Sequence, residues 1–191
     1  MNLSYPHTPL HWAAAASSAA ALVFFAVGLT TYFERTPRPA WVLAVHYVSL
    51  VLAVAQTAGV FLLAPRSDPF VSAAAGLYLG SILLFLSAIE SAKRTRLQRS
   101  FVDLPLPDRL ITDGPFRWVR HPFCTGYLMS AAAGPTAIAH PVMLAIAVPL
   151  MAITVAAAFR EERVWLSGVR AEEYRDYQRR TGMLVPFIGR R

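Results

Sequence analysis

Long stretches without a charged side chain constrain this sequence more than any motif within it. Trp12 to Phe33 carries no charge and neither does Ala40 to Ala64; each run exceeds the roughly 20 residues that cross a hydrocarbon core. Pro69 to Ile89 is a third such run, ending on Glu90, and Phe123 to Phe159 is a fourth, too long for one ordinary span. The Gly134-Pro135 and His140-Pro141 pairs are expected to break that last run into a hairpin. With a mean hydropathy of +0.44, which few soluble domains reach, the sequence predicts an all-α integral membrane protein. About five transmembrane helices are expected, the last two paired as a hairpin. No Lys or Arg precedes the first run to form the basic region of a cleaved signal peptide, so that run is read as a retained helix.

A formal charge of +7 would suit nucleic acid if it formed a patch, but its distribution follows the apolar runs instead. Arg35 and Arg38 lie between the first two spans, Arg66 alone lies between the second and third, and the other cations fall within 93–120 and 160–191. Placing all but Arg66 on the cytoplasmic side satisfies the positive-inside rule, with the N-terminus outside or lumenal. The basic excess is thus topological first, with attraction to anionic lipid headgroups as a second use and no nucleic acid implied. A bacterial inner membrane or the endoplasmic reticulum is the expected setting.

No repeat or linker divides the chain, so residues 1–191 read as one membrane domain. Three N-terminal spans occupy 1–90; a cytoplasmic loop, the hairpin and a C-terminal helix occupy 91–191. The loop starts as a basic helical extension, SAKRTRLQRS, and changes at DLPLPDRLITDGPFRWVRHP, where four prolines and a glycine forbid a continuous helix. REERVWLSGVRAEEYRDYQRR reads as a polar helix leaving the last span, with a break at Gly168. Val164, Trp165, Val169, Tyr174 and Tyr177 give it a rough apolar stripe. Small residues are dense in the spans, as in AAAASSAAA and SAAAGLYLGS, where they let helices approach closely in lipid.

If 123–159 turns back on itself, its two ends become neighbours. Arg117, Arg120 and His121 then meet Arg160, Glu161 and Glu162 at the cytoplasmic membrane edge. Paired carboxylates at a low-dielectric boundary repel one another and require cations or donors nearby, which Arg120 and His121 supply. Snorkelling explains a lone Arg or Glu at a span end, but needs none of the fixed backbone that Pro115 and Pro122 impose. Metal chemistry fits poorly, because no HExxH or paired-His spacing accompanies His121. Cys124, the only cysteine, lies on the apolar side of Pro122 and reads as a small buried hydrophobe. No GxGxxG or Walker pattern marks a dinucleotide or phosphate site. His46, in mid-span, reads as a hydrogen-bonded packing residue, and His7, His11 and His140 fall on the side away from the patch.

LITDGPFRWVRHPFCTG, followed after a hydrophobic hairpin by EERVWLSGVRAEEYRDYQRRTGMLVPFI, resembles the isoprenylcysteine carboxyl methyltransferases, integral membrane enzymes, and more distantly the phospholipid N-methyltransferases. The resemblance covers about residues 105 to 188 and rests on Arg120, His121, Pro122, Gly126, Glu161, Glu162, Tyr174, Tyr177 and Pro186. Cys124 stands where that family usually has Tyr, with Tyr127 three positions later, and the family's Phe-Gly is replaced around Val169, Arg170 and Ala171. The resemblance implies S-adenosylmethionine held by Gly114, Pro115, Arg120, His121, Pro122, Gly126, Tyr127, Glu161 and Glu162. It also implies catalytic roles for Arg120 and Glu162, with Arg160 orienting an anionic acceptor. The acceptor implied is a lipophilic small molecule or prenylated compound arriving from the bilayer, foremost the carboxylate of an isoprenylcysteine-like substrate, with no obligate protein partner. An N-, O- or S-methyltransferase acting on phospholipid or another small molecule, an NADPH-dependent membrane reductase and a non-catalytic scaffold remain open at this point.

Overall fold

The computed structural model describes residues 8–31, 39–93 and 109–188. Six α-helices follow one another there: α1 (Pro9–Thr31), α2 (Ala40–Leu62), α3 (Asp68–Ala92), α4 (Pro122–Ala137), α5 (Pro141–Ser167) and α6 (Ala171–Arg180). A short 3-10 turn, Gly114–Arg117, precedes α4. Four helices, α1, α2, α3 and α5, are long and apolar enough to cross a bilayer. The fifth apolar helix, α4, has 16 residues and pairs with α5 as the hairpin. The outward faces carry large exposed hydrophobics such as Val23, Val51, Leu83 and Val148, a surface suited to lipid tails rather than water. The chain is an all-α integral membrane protein. The basic extension expected after α3 lies outside the described residues from position 94 onward.

The hairpin forms as the sequence predicts, at one of the two expected breaks and not at the other. His140 and Pro141 end the turn: Pro141 occupies the first helical position of α5, and His140 Nδ1 accepts a hydrogen bond from Val142 N at 3.2 Å. Gly134-Pro135, by contrast, lies inside the last turn of α4 and does not interrupt it; Ile138 N still donates to Gly134 O at 3.0 Å. So close to the helix end, proline removes one hydrogen bond instead of a ladder of them. Gly134 serves packing, since a Cβ there would lie 2.8 Å from Gln56 of α2 and 2.9 Å from Met143 of α5.

The small residues act at the helix crossings. A Cβ on Gly126 of α4 would stand 3.3 Å from the Ser81 carbonyl of α3, and one on Gly80 would stand 2.9 Å from Met129. Packing of this closeness replaces the hydrophobic drive that lipid cannot supply. The inner core gathers Tyr78, Ile82, Val60, Met143 and small alanines from five helices. At one end of the bundle His11 Nε2 lies 2.6 Å from Val60 O, and Arg66 N donates to Ala137 O at 2.8 Å. At the other end the Arg160 guanidinium sits 5.1 Å over the Trp41 ring. His11, His140 and Arg66 thus share the end away from Arg120.

Beyond Gly168 the chain turns into α6, whose Tyr174, Tyr177 and Gln178 point inward while Glu172, Arg175 and Arg179 face out. Trp165 stacks on Tyr174 with ring planes 6° apart. Val169, expected in that apolar stripe, is instead 101% exposed, because the break at Gly168 resets the helical register. Gly114 fixes the loop onto α3: its φ is +56°, and a Cβ would come 2.0 Å from Ser91 Oγ. Gly114→Ala should therefore lower thermal stability by about 1–2 kcal/mol or more. Gly76→Ala, with no atom within 4 Å of the new Cβ, should leave it unchanged or raised. Melting curves of both variants in the same detergent check this.

Candidate active site

Three segments far apart in sequence converge at the end of the bundle that bears Arg160. Arg120, in the loop before α4, donates from Nε to Glu162 Oε1 at 2.7 Å and from its terminal nitrogen to the carbonyls of Thr181 and Gln178. Glu162, near the end of α5, also accepts from Gln178 Nε2 at 3.0 Å and from the Tyr174 hydroxyl at 3.4 Å. Arg120, Glu162, Gln178 and Thr181 are all buried. A buried ion pair offsets its desolvation only when its remaining donors and acceptors are also used, and here the two carboxylate oxygens and the guanidinium are surrounded by partners.

His121 extends the cluster. Its Nδ1 lies 3.5 Å from Glu161 Oε2 and its Nε2 lies 3.5 Å from Glu162 Oε1. Burial alone would favour the neutral ring, but the carboxylates of Glu161 and Glu162 outweigh it and raise the His121 pKa to about 9. The imidazolium is therefore the resting form at neutral pH. Burial also holds the Tyr174 and Tyr177 phenols above their ordinary value, Glu162 adding to the effect at Tyr174, so both hydroxyls keep their protons. Tyr177 uses its proton on the Phe116 carbonyl.

The segment after α6 clamps this loop from outside. Arg120 N donates to Gly182 O at 2.8 Å, His121 N to Met183 O at 3.2 Å and Gly182 N to Trp118 O at 3.2 Å; Thr125 Oγ1 reaches Leu184 O at 2.8 Å. Backbone groups that the two prolines leave out of helices thus find protein partners. Gly182 is required there, since a Cβ would fall 2.0 Å from Val185 O.

Next to the cluster opens a cavity of about 310 Å³, within the usual range for small-molecule sites. The end nearest the cluster is walled by Arg109, Arg120, His121, Glu161 and the rings of Phe116, Trp165, Tyr174 and Tyr177. Its deeper part runs between α1, α2, α4 and α5 along Phe25, Leu50, Ala53, Tyr127 and Ile153, reaching Ser18, Gln56, Thr57 and Ser130. Of the residues singled out from sequence, Arg120, His121, Pro122, Tyr127 and Glu161 line it. Gly114, Pro115, Gly126, Arg160 and Glu162 are not in its wall. Glu162 stands behind the wall as the anchor of Arg120 and His121, Gly126 serves the α3–α4 crossing, and Arg160 faces Trp41. Cys124 is buried and lines the apolar part, and His46, whose Nδ1 lies 2.8 Å from Val42 O, also faces the cavity.

Sequence reading missed the contribution of α1 and α2 and of Arg109, Gln178 and Thr181. Gln56 and His46, polar residues within a span, are the available signals for α2; Gln178 and Thr181 are inconspicuous in and just after a polar helix. Among the described residues no group of three His, Cys, Asp or Glu side chains is placed to hold a metal ion.

Glu162→Gln should leave Arg120 and His121 buried beside a neutral amide and destabilise the fold by about 3–5 kcal/mol, read by thermal melting in detergent. For His121, whose pKa is raised on folding, the stabilisation is fully present below the ordinary value near 6.5 and is lost as pH rises through about 9. The melting temperature should accordingly fall between those pH values, and His121→Gln should flatten that part of the profile.

No curated protein matches the chain. The family described as phospholipid methyltransferase matches residues 70–169, from the start of α3 to just beyond the end of α5, more than half of the sequence. That family lies within the group of integral membrane methyltransferases that includes the isoprenylcysteine methyltransferases. With that match spanning more than half of its length, the chain belongs to the phospholipid methyltransferase family.

Proposed function

We propose that the protein transfers a methyl group from S-adenosylmethionine to a lipophilic acceptor drawn from the bilayer, foremost the carboxylate of an isoprenylcysteine-like compound. The observation that carries this reading is one continuous cavity with a charged, aromatic end beside the Arg120–Glu162 pair and a largely apolar interior between spans. Such a cavity suits two reactants of opposite character meeting at its middle.

The donor set fits the cofactor. Glu161, which faces the cavity, would attract the positive sulfonium and ammonium; Arg109 and His121 would pair with its carboxylate. The rings of Trp165, Tyr174 and Phe116 offer faces to a purine. Bound S-adenosylmethionine supplies a methyl carbon already activated by positively charged sulfur. The protein's part is then alignment and exclusion of water. Arg120 and Glu162 act by fixing the wall: their ion pair holds His121 and the loop at the cavity edge, so Arg120, the side of the pair that reaches the cavity, is the member placed nearest the reactants. Arg160, over Trp41 near the same edge, would draw an anionic acceptor toward the opening. A carboxylate acceptor needs no general base, in keeping with a site where His121 rests protonated.

The description of the family favours a second acceptor, the amine of a phospholipid headgroup. An amine must lose a proton before it attacks, and Glu161 is the carboxylate placed to take it. The orientation we propose puts this end of the bundle in the cytoplasm and the N-terminus outside or lumenal, in a bacterial inner membrane or the endoplasmic reticulum. Membrane lipids and the acceptor are the partners we assign.

Calorimetry on detergent-solubilised protein should show S-adenosylhomocysteine binding at micromolar levels, weakened about tenfold or more by Glu161→Gln, a change near 1.4 kcal/mol. Absence of binding, or binding of NADPH in its place, would refute the methyltransferase site. Transfer of labelled methyl in nanodiscs to farnesylcysteine rather than to phosphatidylethanolamine would then decide between the two acceptors.

A further inference from the structure

Far from the charged end, a second polar group faces the same cavity. Gln56 of α2 is 4% exposed and forms part of the deep wall. Its amide nitrogen donates to Ser130 O at 2.8 Å and to the Tyr78 hydroxyl at 3.4 Å. A backbone carbonyl only accepts, so the nitrogen is assigned to that side and the amide orientation follows. Both amide hydrogens are thereby used. The remaining atom, Oε1, is buried with no hydrogen-bond partner among the described residues. A buried acceptor left without a donor carries a desolvation penalty that a ligand donor would relieve.

Helix packing alone does not account for this arrangement. Ser18 Oγ and Thr57 Oγ1, 3.1 Å apart, and the Gln56–Ser130 bond already join α1, α2 and α4. They leave the carbonyl oxygen over, on a residue that borders open space. Gly134 makes room for the side chain, because a Cβ there would stand 2.8 Å from Gln56 Cδ. Ser130 lies nine residues beyond His121 in sequence, so the two ends of the cavity are roughly 13 Å apart at 1.5 Å per residue. The wall between them is largely apolar, with Phe25, Leu50, Ala53 and Ile153; Ser49 and Thr154 there donate their hydroxyls to the Val45 and Leu150 carbonyls of their own helices, and His46 Nδ1 lies 2.8 Å from Val42 O.

We propose that Gln56 Oε1 recognises the remote end of the acceptor, so that the preferred substrate is a lipophilic molecule carrying a hydroxyl or N–H group about ten carbons from the methyl-accepting group. The apolar wall takes the chain, and the depth of the cavity sets its length. A chain of equal length lacking the donor leaves Oε1 unpaired and is discriminated against, as at other sites built around a buried acceptor. Which end of the molecule reacts rests on the methyl-transfer reading above; recognition at Gln56 does not.

The test measures binding of ω-hydroxydecanoate, decanoate and ω-hydroxyhexanoate to nanodisc-embedded protein by ligand-dependent thermal stabilisation. Wild-type protein should bind ω-hydroxydecanoate about tenfold or more tightly than decanoate, and the shorter hydroxy acid should show no such advantage. Gln56→Met, which keeps the bulk and removes the acceptor, should bind both long acids equally. Equal binding by the wild type overturns the proposal even if the variant fails to fold, and so does a preference that survives in Gln56→Met. Binding of S-adenosylhomocysteine without any hydroxyl preference refutes only this inference; a hydroxyl preference without that binding refutes only the methyl-transfer reading.

Discussion

The buried pair of Arg120 and Glu162 is the interaction on which the rest of the site depends. It joins the loop before α4 to the end of α5, and through Gln178 and Thr181 it ties both to α6. Each of these segments is poorly determined by itself: a proline-bounded loop, a helix end and a ten-residue polar helix. A charge removed from water is costly unless its partners are in place, so the pair makes one arrangement of the three segments strongly preferred over looser ones. His121, held between Glu161 and Glu162, and the stacked Trp165 and Tyr174 follow from that arrangement.

The membrane imposes a complementary constraint on the remainder. With lipid as solvent, apolar side chains can face outward freely, and helix association relies on closeness, which Gly80, Gly126 and Gly134 permit. The same close packing bounds the inner part of the cavity with α1, α2, α4 and α5, while the loop before α4 closes its charged end. Its charged end abuts α6, and its largely apolar remainder lies within the spans. A reaction between a water-soluble cation and a lipid-soluble acceptor requires a boundary of this kind.

Much of this was legible in the sequence because charge and proline are unambiguous in a membrane protein. Uncharged runs locate the spans, His140-Pro141 locates the turn, and that turn brings Arg120 and His121 to Glu161 and Glu162. Gly134-Pro135 misled, since the effect of a proline depends on how much helix follows it. Val169 departs from the expected stripe because helical periodicity does not carry across Gly168, where the helix ends. The division of labour between the twin glutamates was not legible at all: adjacent residues on a helix point about 100° apart, and only packing decides that Glu161 meets the cavity while Glu162 is sealed behind it. The part played by Ser18, Gln56 and Thr57 was hidden for a related reason, since polar residues in a span look the same whether they join helices or face a cavity.

The strap formed by residues 181–188 has a consequence for the order in which the molecule is made. Its hydrogen bonds to Trp118, Arg120, His121 and Thr125 fasten a loop that is synthesised some sixty residues earlier. All five apolar helices can therefore enter the bilayer while the loop still lacks its partners, and its backbone must be solvated by water or headgroups until α6 and the strap emerge. Maturation of the pocket is a final, post-insertion event, separable in time from the integration of the helices that surround it.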